Sequence, residues 1–394
     1  MKKLLLATTA ATLVSGAAIA EEIKIGVMLG FTGPAESLAP DMFAGAKTAL
    51  MEASASGLFL DGTTIDVIQG DSTCIDAAVS TAVAERFITA DGVSGIIGAL
   101  CSGATIAALQ NVAVPNGMVM ISPSATSPAL TTIEDNGLFF RASPSDARQG
   151  QVMSESLLEK GIKSVAVTYT NNDYGKGLAD AFQGSFEAMG GEVTINIAHE
   201  DGKADYSSEV GSLASAGGDV LVVVGYLDQG GPGIIRAALD TGAFDKFHLP
   251  DAMIGQTIED RFGAEIEGST GQVPGSDSEG GEMLVAIGEA NGYNGTAPYA
   301  PESYDAGALM VLAMQAAGST DPQVYKDFVY SVANAPGELI MPGEIGKALE
   351  ILAAGGDVDY VGGSAVELIE PGEAAGSYRE IVVKDGKITT VGYR

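Results

Sequence analysis

Hydrophobic positions along the chain fall into short aliphatic runs separated by longer amphipathic stretches. Runs at residues 23–29, 64–68, 93–98 and 117–121 are rich in Val, Ile and Met and bounded by Gly or turn residues, which predicts β-strands. Between them, residues 43–50, 77–88 and 104–112 carry the spacing of helices. The alternation restarts after residue 145, with strands predicted at 164–169, 193–197 and 220–224 and helices at 176–189, 206–216 and 234–241. It weakens at 268–272 into a Gly/Ser-rich stretch, 273–280, read as a flexible loop. Two more helices follow at 304–317 and 323–332. The tail reads as strand, Asp385-Gly386 turn, strand, with Asp-Gly as hairpin chemistry. Strands alternating with helices predict βαβ units and parallel sheets covered on both faces. The fold class is therefore α/β, in two Rossmann-like parallel-sheet lobes rather than one long sheet.

The first twenty residues place Lys2 and Lys3 ahead of a Leu/Ala/Val run that ends in Ala18-Ile19-Ala20. This is the pattern of a secretory signal peptide, so cleavage after Ala20 and a mature N-terminus at Glu21 are expected. The run is shorter than the roughly 20 residues of a bilayer span. No later segment reaches about 18 uninterrupted apolar residues, so an exported, soluble protein without stable membrane insertion is expected. The 394 residues hold 51 Asp+Glu against 20 Lys+Arg, a formal net charge of −31. That balance excludes a nucleic-acid partner, whose phosphates need a basic surface, and argues against anionic lipid.

Export puts Cys74 and Cys101 in an oxidising compartment, which favours a disulfide. The alternative is a thiol nucleophile at Cys101. That chemistry needs a base, and the two histidines, His199 and His248, sit in no local signature. Neither the Cys nor the His pair has zinc-ligand spacing, so no metal is expected. Gly230-Gly231-Pro232-Gly233 lacks the Gly-Lys-Ser/Thr ending of a phosphate loop, so no nucleotide cofactor is expected either.

Ligands of parallel α/β sheets bind past the carboxyl ends of the strands. In the first half, three turns there are rich in hydroxyls: 32–34, 100–105 and 122–128. They could present donors to a small carboxylate, although Ser and Thr in such turns also serve as helix caps. The second half offers turns at 169–175 and 225–228, and the segment 249–253. Tyr174, Tyr226 and Asp251 suit an ammonium group through cation–π contacts and a charge-assisted hydrogen bond. Rim packing for the tyrosines and an N-cap role for Asp251 are the structural alternatives.

In combination, residues 23–27 with Thr32-Gly33-Pro34, Cys74 with Cys101-Ser102, residues 120–126, Asp173-Tyr174-Gly175-Lys176-Gly177 and Gly225-Tyr226 resemble the periplasmic leucine/isoleucine/valine-binding protein family. These are the type I periplasmic binding proteins that serve branched-chain amino acid ABC transporters. The resemblance covers nearly the whole mature chain. It implies that Ser102 and nearby backbone N–H groups hold a ligand α-carboxylate. The α-ammonium would be held by the Ser124 carbonyl, the Thr126 hydroxyl and an acid of the other lobe, here Asp251, one methylene shorter than the Glu of the best-known members. Tyr174 and Tyr226 match the family's second-lobe tyrosines. Leu38 falls where an aromatic often covers the ligand side chain, so an altered side-chain pocket is implied. The resemblance also implies a Cys74–Cys101 disulfide and no cofactor.

Three hinge crossings are implied near residues 141–145, 273–276 and 362–366. The N-terminal lobe is then 21–143 with 275–362, and the C-terminal lobe 144–274 with 363–394. The expected partners are a small amino-acid ligand and the permease subunits of an ABC transporter, with the chain itself a periplasmic monomer and not an enzyme. Two other functions share these residues. An amidase-type hydrolase would attack through Cys101 or Ser102, and a ligand sensor without transport would use the same closed state.

Overall fold

The computed structural model describes residues 21–394; the expected signal peptide at residues 1–20 lies outside the described residues. Ten strands alternate with helices: β1 (Glu22–Leu29), β2 (Thr64–Asp71), β3 (Gly95–Gly98), β4 (Met120–Ser122), β5 (Phe139–Arg141), β6 (Ser164–Thr170), β7 (Glu192–His199), β8 (Val220–Val224), β9 (Phe247–Leu249) and β10 (Thr270–Pro274). A two-stranded sheet follows, β11 (Glu338–Ile340) with β12 (Val358–Tyr360), then β13 (Leu368–Ile369), β14 (Glu373–Ala374), β15 (Tyr378–Lys384) and β16 (Lys387–Tyr393).

The first sheet runs β13-β14-β5-β4-β3-β1-β2 and the second β16-β15-β10-β9-β8-β6-β7. Shifting each label of β1–β5 by five gives the order of β6–β10, so the two lobes repeat one doubly wound topology. The parallel strands are buried on both faces, which is why they read as unbroken aliphatic runs: all five residues of Val220–Val224 are buried. In each sheet the order reverses beside the first strand, β1 or β6. Such a reversal opens a crevice at the strands' carboxyl ends, and these two crevices face each other.

The chain leaves the first sheet after β5 and returns from the second after β10. The stretch 273–280, expected to be a flexible loop, is mostly ordered: Val273 and Pro274 close β10, and the Glu279–Asn291 helix starts three residues after Ser276. The third crossing differs from expectation. Residues 368–374 form the antiparallel pair β13–β14, and β14 adds onto the edge of β5. The lobe boundary at 362/363 therefore moves, because the chain first reaches the second sheet at Tyr378. The buried Arg141 guanidinium on β5 fixes this arrangement by pairing with Glu373 on β14 at 2.5 Å. Two of the crossings also bind each other: Gly275 N donates to Ser377 O, and Ser377 Oγ to Gly275 O, both at 3.1 Å.

No helix among the described residues is long and apolar enough to cross a membrane.

Candidate functional site

The two crevices close on one small cavity, shut so tightly that only about 10 Å³ of it is free. Its lining comes from Leu38, Leu100, Cys101, Ser102, Ser124, Tyr174, Tyr226, Asp251, Ala252 and Tyr299. Six of the seven residues expected to meet a ligand are thus brought together. The seventh, Thr126, is buried beside them but does not line the cavity, and its hydroxyl has no hydrogen-bond partner among the described residues.

The first-lobe wall is built from the turns after β3 and β4, and their own hydroxyls stitch them together. Ser122 Oγ donates to Ala99 O at 2.7 Å and accepts from Ala125 N at 2.9 Å; Ser124 Oγ donates to Leu100 O at 2.9 Å. Ser127 N donates to Ser102 Oγ at 3.1 Å, which leaves the Ser102 proton free for another acceptor. Arg141 reaches under this loop and donates to the carbonyls of Ala125 and Ser127, both at 3.0 Å. The Cys74–Cys101 disulfide pins the turn after β3 to the segment after β2. It also consumes the thiol on which a cysteine hydrolase would depend.

The second-lobe wall centres on Asp251, which is buried. Pro250 occupies the N-cap of its short turn, and the Asp251 carboxylate turns inward instead of capping. Tyr174 OH donates to Oδ1 at 2.6 Å and Gln149 Nε2 to the same oxygen at 3.2 Å. Tyr299 OH, from the first lobe, donates to Oδ2. Burial raises the Asp251 carboxyl above its usual range, and these donors oppose the rise. The Tyr174 and Tyr226 rings stack with centroids 5.3 Å apart, and Asn172 Nδ2 donates to Tyr226 OH at 3.4 Å. Burial pushes the hydroxyls of Tyr174, Tyr226 and Tyr299 well up, so all three stay protonated donors at neutral pH.

The lobes are closed. Asp228 N donates to Pro34 O at 3.1 Å, Ser37 N to Asp228 Oδ2 at 2.8 Å, and Ser127 Oγ to Asp173 O at 3.0 Å. Gly103 permits this approach, because a Cβ there would lie 3.0 Å from the Asp173 carboxylate across the cleft. His199 and His248 are remote from the cavity lining. Each is buried in the second sheet on a threonine hydroxyl, Thr168 and Thr270 respectively, at 2.9 Å. Burial lowers the first to about 4 and the second to about 3. No cluster of His, Cys, Asp and Glu among the described residues is arranged to hold a metal ion.

Sequence reasoning missed Tyr299 and Gln149. Tyr299 sits in a left-handed conformation at the N-cap of the Ala300–Ala317 helix, 48 residues beyond Asp251, and no local pattern marks it.

The chemistry of the cavity is that of a clamp: neutral donors on one side, a buried carboxylate on the other, apolar walls from Leu38, Leu100 and Ala252. Comparison with known proteins identifies the family. Residues 22–342 match the family model described as periplasmic binding protein. A Leu/Ile/Val-binding protein homolog of Brucella melitensis is 31% identical over 321 residues, covering 80% of this chain and 84% of the relative. A leucine-binding protein of Thermotoga maritima superposes with a TM-score of 0.79 at 22% identity, over 94% of this chain and 98% of its own. A branched-chain amino acid transporter substrate-binding protein of Streptococcus pneumoniae, solved with isoleucine, superposes with a TM-score of 0.77 at 23% identity, over 94% and 99%.

Proposed function

The chain belongs to the periplasmic binding protein family, a family of solute-binding receptors, and from that premise we propose that it captures one small amino acid, branched-chain or related, by lobe closure and delivers it to the permease subunits of an ABC transporter. The ligand's carboxylate meets the Ser102 hydroxyl and backbone N–H groups near Ser102 and Thr126. Its ammonium meets the Ser124 carbonyl, the Thr126 hydroxyl and Asp251, over the rings of Tyr174 and Tyr226. Its side chain lies against Leu38 and Leu100. The reading places the mature chain in the periplasm as a monomer after removal of residues 1–20, and it assigns no catalytic step.

The observation that carries it is Asp251, a carboxylate buried at the seam of the closed lobes and aimed into their common cavity. A buried carboxylate is costly unless it is paired, and a ligand ammonium is the charge that would match it. Because both lobes contribute walls, a ligand binds the closed form better than the open one and shifts the population toward it. A permease can read that shift.

A melting-temperature screen of amino acids and small amides tests the reading. A ligand that binds only the native state at a hundred times its Kd adds about 2.7 kcal/mol of stability. Leucine, isoleucine or valine should raise the melting temperature, with one-to-one stoichiometry in calorimetry and the ligand recovered unchanged. Turnover of the ligand would establish the hydrolase instead, and a screen in which no amino acid shifts the melting temperature would reject capture.

A further inference from the structure

Behind the cavity wall, near Asp251, lies a second carboxylate that the clamp does not use. Asp146 is the first residue of the Asp146–Glu159 helix, just past the first crossing between lobes. It is fully buried, and neither of its carboxyl oxygens has a hydrogen-bond partner among the described residues. Its backbone N–H donates to Thr126 O at 2.8 Å, which sets the carboxyl beside the equally unpartnered Thr126 hydroxyl. One turn further along the same helix, Gln149 donates to Asp251. One helix face thus addresses both acids.

Every charged or titratable group facing Asp146 belongs to this cluster. Asp251 follows β9, Arg141 ends β5, and Tyr378 opens β15 with a buried hydroxyl that has no partner among the described residues. The Asp146 charge also acts on the buried hydroxyls of Tyr174, Tyr226 and Tyr299, and Arg148, on the helix itself, acts on Tyr378. Arg141 is the cation that acts on Asp146, but its guanidinium is already engaged by two carbonyls, Thr131 Oγ1 and Glu373. Two carboxylates buried this close do not both ionise without a further positive charge. Asp251 accepts from three side chains, whereas Asp146 has only the neighbouring Thr126 hydroxyl to draw on, so the proton shared by the pair rests mainly on Asp146. Burial first and the Asp251 charge second raise the Asp146 carboxyl well above its usual range, against the pull of Arg141 and Thr126.

We propose that Asp146 holds a proton in the closed, ligand-free cleft and gives it up when a ligand ammonium enters between Thr126 and Asp251, so that capture of a zwitterion is coupled to proton release. The ligand enters with its ammonium already formed, the O–H bond of Asp146 breaks, and the proton passes to the solvent; no electrons move. The inference rests on the amino-acid reading above and adds to it a second acid that sets affinity. Because the free site holds more protons than the occupied one, affinity rises with pH, by at most about tenfold per unit for one proton.

Calorimetric titration of the full mature chain with L-leucine, L-isoleucine and L-valine between pH 5 and 8, with the titrations at pH 7.5 run both in phosphate and in Tris, tests this. The two buffers differ in protonation enthalpy, so the difference in observed heat counts the protons released. The expected result is affinity that climbs with pH and a release that approaches one proton per ligand. Asp146→Asn should bind with a flat pH profile, meet the wild type at the acidic end, and fall below it at pH 8. Binding with no proton released and no pH slope overturns the inference and leaves the capture reading standing. Absence of binding by these three at every pH, together with a melting-temperature screen in which no amino acid binds, overturns both. Should the variant fail to fold, the proton count of the wild type alone decides.

Discussion

Tyr299 and Asp251 join the two lobes through a hydrogen bond from the tyrosine hydroxyl to carboxylate Oδ2. The donor belongs to the lobe of the first sheet and the acceptor to that of the second. It therefore forms only when the lobes are shut, and it engages the carboxylate proposed to receive the ligand ammonium. Tyr299→Phe keeps the ring and removes the donor. A hydrogen bond to a charged group contributes about 1.5–3 kcal/mol, so the ligand-free variant should be shifted toward the open form. Small-angle scattering should show a larger radius of gyration than for ligand-free wild type, and the two should coincide when ligand saturates. Identical ligand-free curves would remove the latch from the account.

Asp251→Ala deletes the carboxylate while leaving Tyr174, Tyr299 and Gln149 without their acceptor. Loss of one partner of a buried charge pair costs about 2–5 kcal/mol of affinity, and calorimetry should find leucine binding weakened by at least roughly 30-fold. Wild-type affinity in this variant would show that the ammonium is held elsewhere.

The disulfide ties Cys74 to Cys101 over a sequence separation of 27 residues. A loop of that size corresponds to about 3.5 kcal/mol in the chain-entropy model. Cys101 immediately precedes Ser102, so the crosslink also holds the carboxylate side of the clamp. Replacing both cysteines by serine should lower the melting temperature and weaken binding together. An unchanged melting temperature with weakened binding would make the crosslink a positioning device only.

Much of this molecule is legible in the sequence because its sheets are buried on both faces. Val220–Val224 is a wholly apolar run between turns, and the strand forms over the same residues. The site turns were legible for a related reason: Ser102, Ser124 and Asp251 follow such strands directly. Segments whose packing face is not wholly apolar were lost. The Asp146–Glu159 helix turns Asp146, Gln149, Ser154 and Ser156 inward among Val152, Met153 and Leu157, so its apolar stripe is short and broken by polar residues. The start of the Glu279–Asn291 helix falls in the stretch read as a flexible loop, and the rest, with Gly281 and Gly288, carries no sequence assignment; Gly280 is required by a close approach, since a Cβ there would lie 1.9 Å from Gly362 O. Tyr299 could not be read at all, since its partner is set by lobe closure rather than by neighbours in sequence.

Arg141 links the hinge to the site. It is buried, pairs with Glu373 on β14 and supports the loop carrying Ser124 and Thr126. Arg141→Met leaves Glu373 without its cation and the Ala125 carbonyl without the Arg141 donor. Breaking a buried pair in this way costs about 3–5 kcal/mol, so urea unfolding should move to a markedly lower midpoint. Arg141→Lys should recover part of the stability but less of the binding, because an ammonium cannot hold two carbonyls and Glu373 in one plane.

Stability should peak in mildly acidic solution, and the sign follows from groups of two kinds. His199 and His248 are lowered by burial, to about 4 and about 3. Their contribution is complete above the unfolded value near 6.5 and is lost as pH falls, each at up to about 1.4 kcal/mol per unit. Glu302 behaves oppositely. It is fully buried and neither of its oxygens has a partner among the described residues, and burial raises it to about 8. Its contribution is complete below its unfolded value of 4.5 and is lost as pH rises toward 8. Asp201, raised by burial to about 6, adds a smaller loss in the same direction. Between about 4.5 and 6.5 the opposing slopes offset one another. Above that window the losses from Glu302 and from the strongly raised Asp146 continue, and below it the loss from the histidines dominates. Urea unfolding from pH 4 to 8 should therefore show a maximum within the window. Glu302→Gln should reduce the decline between pH 6.5 and 8 while leaving the acid limb in place; a decline that persists unchanged in this variant would assign it to Asp146 and to the repulsion of a chain carrying a net charge of −31.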